Sequence, residues 1–73
     1  MNAMITGKTL RAIRSLRGVT QADLAAQAGV SPTAIAEFET GKRDIRASTI
    51  AKLCEALGVE VTYKVDGTTI SGP

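Results

Sequence analysis

Histidine is absent from this 73-residue chain, and cysteine occurs once, at Cys54. Without imidazole there is no His general base, no Ser–His or Cys–His nucleophile and no His-ligated metal. One thiol closes no intrachain disulfide and builds no thiolate zinc site; a lone thiol suits a reducing cytoplasm. Tryptophan is missing too, and Phe38 and Tyr63 are the two aromatics, so an aliphatic, thin core is expected. No apolar run approaches the roughly 18 residues of a membrane span, and the opening residues carry no signal-peptide pattern, so no membrane association is expected. The carboxylates are scattered over different elements and form no acid–base pair. Neither an enzyme nor a cofactor or metal is expected.

What is present is ordinary for a folded chain: 44 % hydrophobic and 22 % charged residues. A single domain is expected, and a small one. A chain of this length buries about 60–65 % of its unfolded surface and often leans on a partner. Nine Lys/Arg against seven Asp/Glu leave a charge of +2, compatible with a polyanion without demanding one. The distribution says more than the total. Lys8, Arg11, Arg14 and Arg17 open the chain, Lys42, Arg43 and Arg46 cluster after Gly41, and residues 18–36 carry only Asp23.

Setting aside residues 1–5, the apolar periodicity and its punctuation predict four short helices. The first runs from about Gly7 to Arg17, with Leu10, Ile13, Arg14 and Arg17 on one face. The second has Thr20 as N-cap and Asp23 at the third helical position, an acidic variant of the capping box, and ends at Ala28 before Gly29. In the third, Ser31 is the N-cap and Pro32 takes the first helical position, where its missing N–H costs nothing; it ends at Thr40–Gly41. A fourth, from Ala47 or Ser48 to Leu57, carries Ile50, Leu53, Cys54 and Leu57 on one face. The period then changes to two: Val59, Val61, Tyr63 and Val65 alternate with polar residues, Asp66-Gly67 signals a tight turn, and 68–71 returns. That turn would pair Val65 with Thr68 and Tyr63 with Ile70.

Helices two and three are separated by only two or three residues, the spacing of a helix-turn-helix. Two helices crossing closely need a small residue, here Ala25. The sharp corner needs a positive φ, which Gly29 adopts cheaply. Leu24, Ala28, Val30, Ile35 and Phe38 supply the apolar anchors. Against this, Gly7-Lys8-Thr9 is a poor match to a phosphate-binding loop, because Asn2 stands where its first glycine belongs. Cys54, on an apolar stripe, reads as a buried thiol.

With these residues in view, LRAIRSLRGVTQADLAAQAGVSPTAIAEFETGKR and STIAKLCEALGV resemble the Cro/CI-type (XRE-like) helix-turn-helix family over residues 7–58. The resemblance implies a mainly α fold, a four-helix, lambda-repressor-like domain over 6–58, here followed by a C-terminal β-hairpin over 59–73. It implies that the third helix enters the major groove of double-stranded DNA, usually within a homodimer. Gln21 matches a phosphate- and base-proximal glutamine; Pro32, Thr33 and Glu37 match positions facing base edges; Thr40, Lys42 and Arg43 match the backbone-contacting end. Arg14 and Glu39 match an internal ion pair. The chemistry agrees in part: Ser31, Pro32 and Thr33 form the N-terminal turn offered to the groove, Thr33 donates or accepts, and Glu37 accepts from cytosine N4. Pro32, Ala34 and Ala36 stand where many relatives carry polar readers, so direct readout is thin and DNA shape is expected to contribute.

The expectation is a sequence-specific transcriptional regulator, a repressor binding a palindromic operator as a homodimer in the cytoplasm, on the nucleoid when DNA-bound. The alternative is an antitoxin that neutralises a partner toxin and autoregulates its operon. Dimerisation is expected through the hairpin, whose apolar positions Val59, Val61, Tyr63, Val65 and Ile70 need cover, because an isolated hairpin is marginal in water. A hairpin folded back on its own helices is the competing arrangement.

Overall fold

Hydroxyl side chains start three of the four helices. In the computed structural model, which describes residues 5–59, 62–65 and 67–71, Thr6 precedes α1 (Gly7–Leu16), Thr20 precedes α2 (Gln21–Ala28) and Ser31 precedes α3 (Pro32–Glu39). Each oxygen accepts a backbone N–H three residues on, from Thr9, Asp23 and Ala34 respectively. These N–H groups have no partner within the helix, so each cap contributes about 1 kcal/mol. α4 (Ala47–Ala56) starts differently: Arg46 is its N-cap and makes no side-chain cap bond.

The helix ends follow the backbone bonds. α1 closes at Leu16, and Arg17 becomes its C-cap with its N–H on the Ile13 carbonyl. Arg17 is exposed at this helix end, whereas Ile13 and Arg14 are half-buried. α2 ends on Gly29, whose φ of 68° turns the chain towards α3 and lets the Val30 N–H reach the Ala25 carbonyl at 3.0 Å.

Every helix supplies a fully buried aliphatic side chain: Leu10 from α1, Leu24 from α2, Ile35 from α3, Ile50 and Leu53 from α4. Ala25, Phe38, Cys54 and Leu57 complete the core, with Ala28 and Val30 partly buried against it. α2 packs against both α3 and α4, and α1 packs against α3. Gly7 marks the tightest approach, since a Cβ there would stand 1.9 Å from the Phe38 carbonyl oxygen. The first turn of α1 thus rests directly on the backbone end of α3. Burial pushes the Cys54 thiol above its usual range. Leu16 is the exception, a large apolar side chain 86 % exposed.

Beyond the helices, β1 (Thr62–Val65) and β2 (Thr68–Ser71) run antiparallel, with Tyr63 opposite Ile70 and Val65 opposite Thr68 in the backbone register. Val61 and Asp66 lie outside the described residues, as do the side chains of Tyr63, Val65 and Ile70. Val59 is partly buried against the helical core of its own chain. It is therefore part of the domain's own packing.

Candidate nucleic-acid interface

α3 presents two faces. Ala34, Ile35, Phe38 and Glu39 are buried, while Ser31, Pro32, Thr33 and Thr40 are exposed and Ala36 and Glu37 half-exposed. Thr33, Ala36, Glu37 and Thr40 form one outward stripe at the i, i+3, i+4, i+7 spacing of a helix. Ala34 is only 8 % exposed, so a polar reader there would point into the domain. Its small size is a packing requirement and says nothing about base readout, contrary to the sequence expectation.

The inner end of α3 is held by a polar knot. Glu39 accepts from Arg14 Nε at 2.9 Å and Arg14 NH2 at 3.0 Å, a bidentate pair joining α1 to α3. Arg14 NH1 also donates to the Val19 carbonyl at 3.0 Å, and Gln21 Nε2 donates to Glu39 Oε1 at 3.0 Å. The Glu39 side chain is 2 % exposed and that of Arg14 14 %. Burial by itself would push the Glu39 carboxyl up, but the hydrogen bonds from Arg14 and Gln21 and the charges of Arg14 and Arg11 outweigh it and hold it below the ordinary value. The Arg14 proton is held more tightly by the Glu39 hydrogen bond, against an opposing effect of burial. Gln21 is thus engaged inside the domain, half-buried at the first position of α2. Nothing in the sequence spacing pointed to that third bond.

At the outer end the chain folds back on α3. The Gly41 N–H donates to the Phe38 carbonyl at 3.1 Å and the Lys42 N–H to the Glu37 carbonyl at 2.8 Å. Lys42 and Arg43 are exposed. Arg43 Nε lies 3.0 Å from Glu37 Oε1, an ion pair with side chains 51 % and 38 % exposed. Such exposed pairs contribute about 0.2–1 kcal/mol, so it is easily exchanged. The Thr40 hydroxyl donates to the Ala36 and Glu37 carbonyls at 3.1 and 3.2 Å. Its proton is directed at the helix end, and the side chain remains exposed beside Lys42 and Arg43. Among the described residues no group of side chains has metal-binding composition, and no helix is long and apolar enough to cross a membrane.

Two helices of eight residues meeting at a left-handed glycine, the second with an exposed first turn, define a helix-turn-helix domain. The helix-turn-helix family model matches residues 10–64, and the chain belongs to that family, of the Cro/CI (XRE-like) type. It is 33 % identical over 67 residues to Multiprotein-bridging factor 1 of Candida glabrata, across 92 % of this chain and 44 % of that protein. It is 44 % identical over 54 residues to the HTH-type transcriptional repressor RghR of Bacillus subtilis, across 73 % of this chain and 40 % of RghR. The chain therefore spans less than half the length of these two relatives. Among solved structures, the restriction-modification controller protein C.AhdI from Aeromonas hydrophila superposes with a TM-score of 0.72 at 33 % identity, covering 74 % of this chain and 82 % of C.AhdI. What is shared is the four-helix, mainly helical domain.

Proposed function

We propose that this chain is a sequence-specific DNA-binding transcriptional regulator, a repressor that places α3 in the major groove of a palindromic operator as a homodimer. The observation that carries the reading is the outward stripe of α3. Its first turn, Ser31 to Thr33, is exposed, and the basic residues Lys42 and Arg43 flank its far end. A helix needs that layout to reach base edges while cations meet the phosphates on either side. Membership of the helix-turn-helix family and the likeness to a transcriptional repressor and a controller protein support it.

Within this reading Thr33 is the reader of base edges, by its hydroxyl and its methyl, and Ser31 and Pro32 shape the entry of the helix. Lys42 supplies phosphate contact. Gln21 sits at the N-terminal end of α2, where the helix dipole favours a phosphate. Its amide is shared with Glu39, so its contribution is to position that turn. The hairpin is the proposed dimer element, because two strands offer unpaired edges to a second chain. Two-fold pairing would have to set the recognition helices about 34 Å apart for consecutive half-sites.

Selection of the full chain against randomised duplex DNA tests the function. A palindromic consensus, bound in a mobility-shift assay with at least 100-fold preference over scrambled DNA, is the expected result. Enrichment of no sequence, with binding equal on all duplexes, refutes sequence-specific regulation.

A further inference from the structure

Glu37 is the carboxylate of the outward stripe of α3, and its pairing with Arg43 has chemical consequences for any duplex placed against that stripe. The residue holds the returning chain twice. Its carbonyl accepts the Lys42 N–H at 2.8 Å, and its carboxylate lies 3.0 Å from Arg43 Nε. The second contact is ionic: among the described residues the Arg43 guanidinium makes no hydrogen bond.

We propose that the Glu37–Arg43 pair makes phosphate neutralisation by Arg43 conditional on the base that Glu37 meets; the inference rests on the DNA-binding reading above. With the pair closed, the two side chains carry no net charge and release few counterions from DNA. If Arg43 leaves for a phosphate, Glu37 is left as a bare carboxylate in the most anionic place available to it. That state is tolerated when an exocyclic amine, such as cytosine N4, donates to the carboxylate in Arg43's place. On such DNA one weak internal pair is exchanged for a base contact and a phosphate contact together. Where no amine faces Glu37, the pair stays shut and Arg43 adds little. Glu37 is then a specificity-determining residue twice over, through its own contact and through the arginine it releases.

The test uses the full chain and fluorescence anisotropy against salt concentration. Two duplexes are compared: the selected site, and the same site altered at the base pair whose preference E37Q loses. For the wild type, the log–log salt slope is expected to be steeper on the selected site by about 0.9 per protomer, one phosphate's worth. The double variant E37Q/R43Q, as neutral as the closed pair, should give on both sites the shallow slope that the wild type shows on the altered one. E37Q should give the same steep slope on both and bind the altered site more tightly than wild type does. Both residues are exposed or half-exposed, and circular dichroism confirms that the variants fold. The proposal is overturned if E37Q/R43Q keeps the steep slope on the selected site, if E37Q leaves the difference in slope intact, or if E37Q loses no base preference. Failure of the wild type to bind any duplex refutes the DNA-binding reading itself, and is told apart by the absence of a binding curve to analyse.

Discussion

Glu39 is the residue on which the domain's polar interior turns. It stabilises the fold as a carboxylate, since Arg14 and Gln21 donate three hydrogen bonds to it. Its carboxyl titrates below the ordinary value of 4.5, so in acid the unfolded chain takes up its proton before the native one does. The stabilisation is therefore complete above about pH 4.5 and is lost as the pH falls through the lower native value. Thermal unfolding of the wild type should fall off steeply below pH 4.5, and E39Q should show a shallower acid dependence from a lower starting Tm. Replacing Arg14 alone by Met strands a buried carboxylate and should cost about 3 kcal/mol. In a double-mutant cycle with E39Q, measured by urea unfolding, the coupling should exceed 1 kcal/mol; a value near zero refutes a stabilising pair. Gly7 is a second residue with one task. In an isolated helix alanine is favoured over glycine by about 1 kcal/mol, yet here its methyl would strike the Phe38 carbonyl. G7A should accordingly destabilise, by about 1–3 kcal/mol, and a raised Tm would refute the close approach of α1 to α3.

At the scale of elements, the corner between α2 and α3 is set by backbone conformation. Gly29 has open space around the place a side chain would occupy, so the cost of G29A is conformational alone, about 1–2 kcal/mol for a left-handed alanine. The variant should show that loss in chemical denaturation while retaining the wild-type helical spectrum. A stable variant with an unchanged midpoint would show that the corner tolerates another geometry. Thr33, on the outward stripe of α3, behaves differently, because among the described residues its side chain makes no hydrogen bond. T33A should leave stability within about 0.5 kcal/mol of wild type and alter the selected DNA preference at one or two base pairs by about 1–3 kcal/mol. An unchanged preference places Thr33 outside the groove.

For the whole molecule, size is the governing quantity. Among the described residues each helix gives the core one or two fully buried aliphatic side chains, and the homodimer proposed above would add buried surface to so small a core. A chain truncated after Val59 keeps the four helices and the residue that packs on them. Sedimentation of the shortened chain should show a monomer with wild-type helicity and at least 100-fold weaker operator binding. A dimer of undiminished affinity assigns dimerisation to the helices. On the operator, a dimer engaging Lys42 and Arg43 from both protomers should give a log–log salt slope of about −3.6, from four phosphates at about −0.9 each. A slope near zero would remove phosphate contact from the reading.

The local chain by itself determined the helices, because their signals act over three or four residues: a threonine or serine oxygen before the helix, a proline at its first position, a glycine beyond its end. The absence of histidine and the single cysteine likewise bounded the chemistry without any reference to shape. Folding decided what depends on neighbours distant along the chain. Gln21 lies 18 residues from the carboxylate it serves, Gly7 lies 31 positions from the carbonyl it must clear, and no period in the sequence encodes either meeting. Ala34 and Ala36 look alike as letters, yet one is sealed in the core and the other faces outward, since the tilt of α3 against α1 and α2 determines which side of the helix is covered. The Glu37–Arg43 pair arises in the same way, from a chain that reverses at Gly41 and lays its next charges back along the helix it has just left.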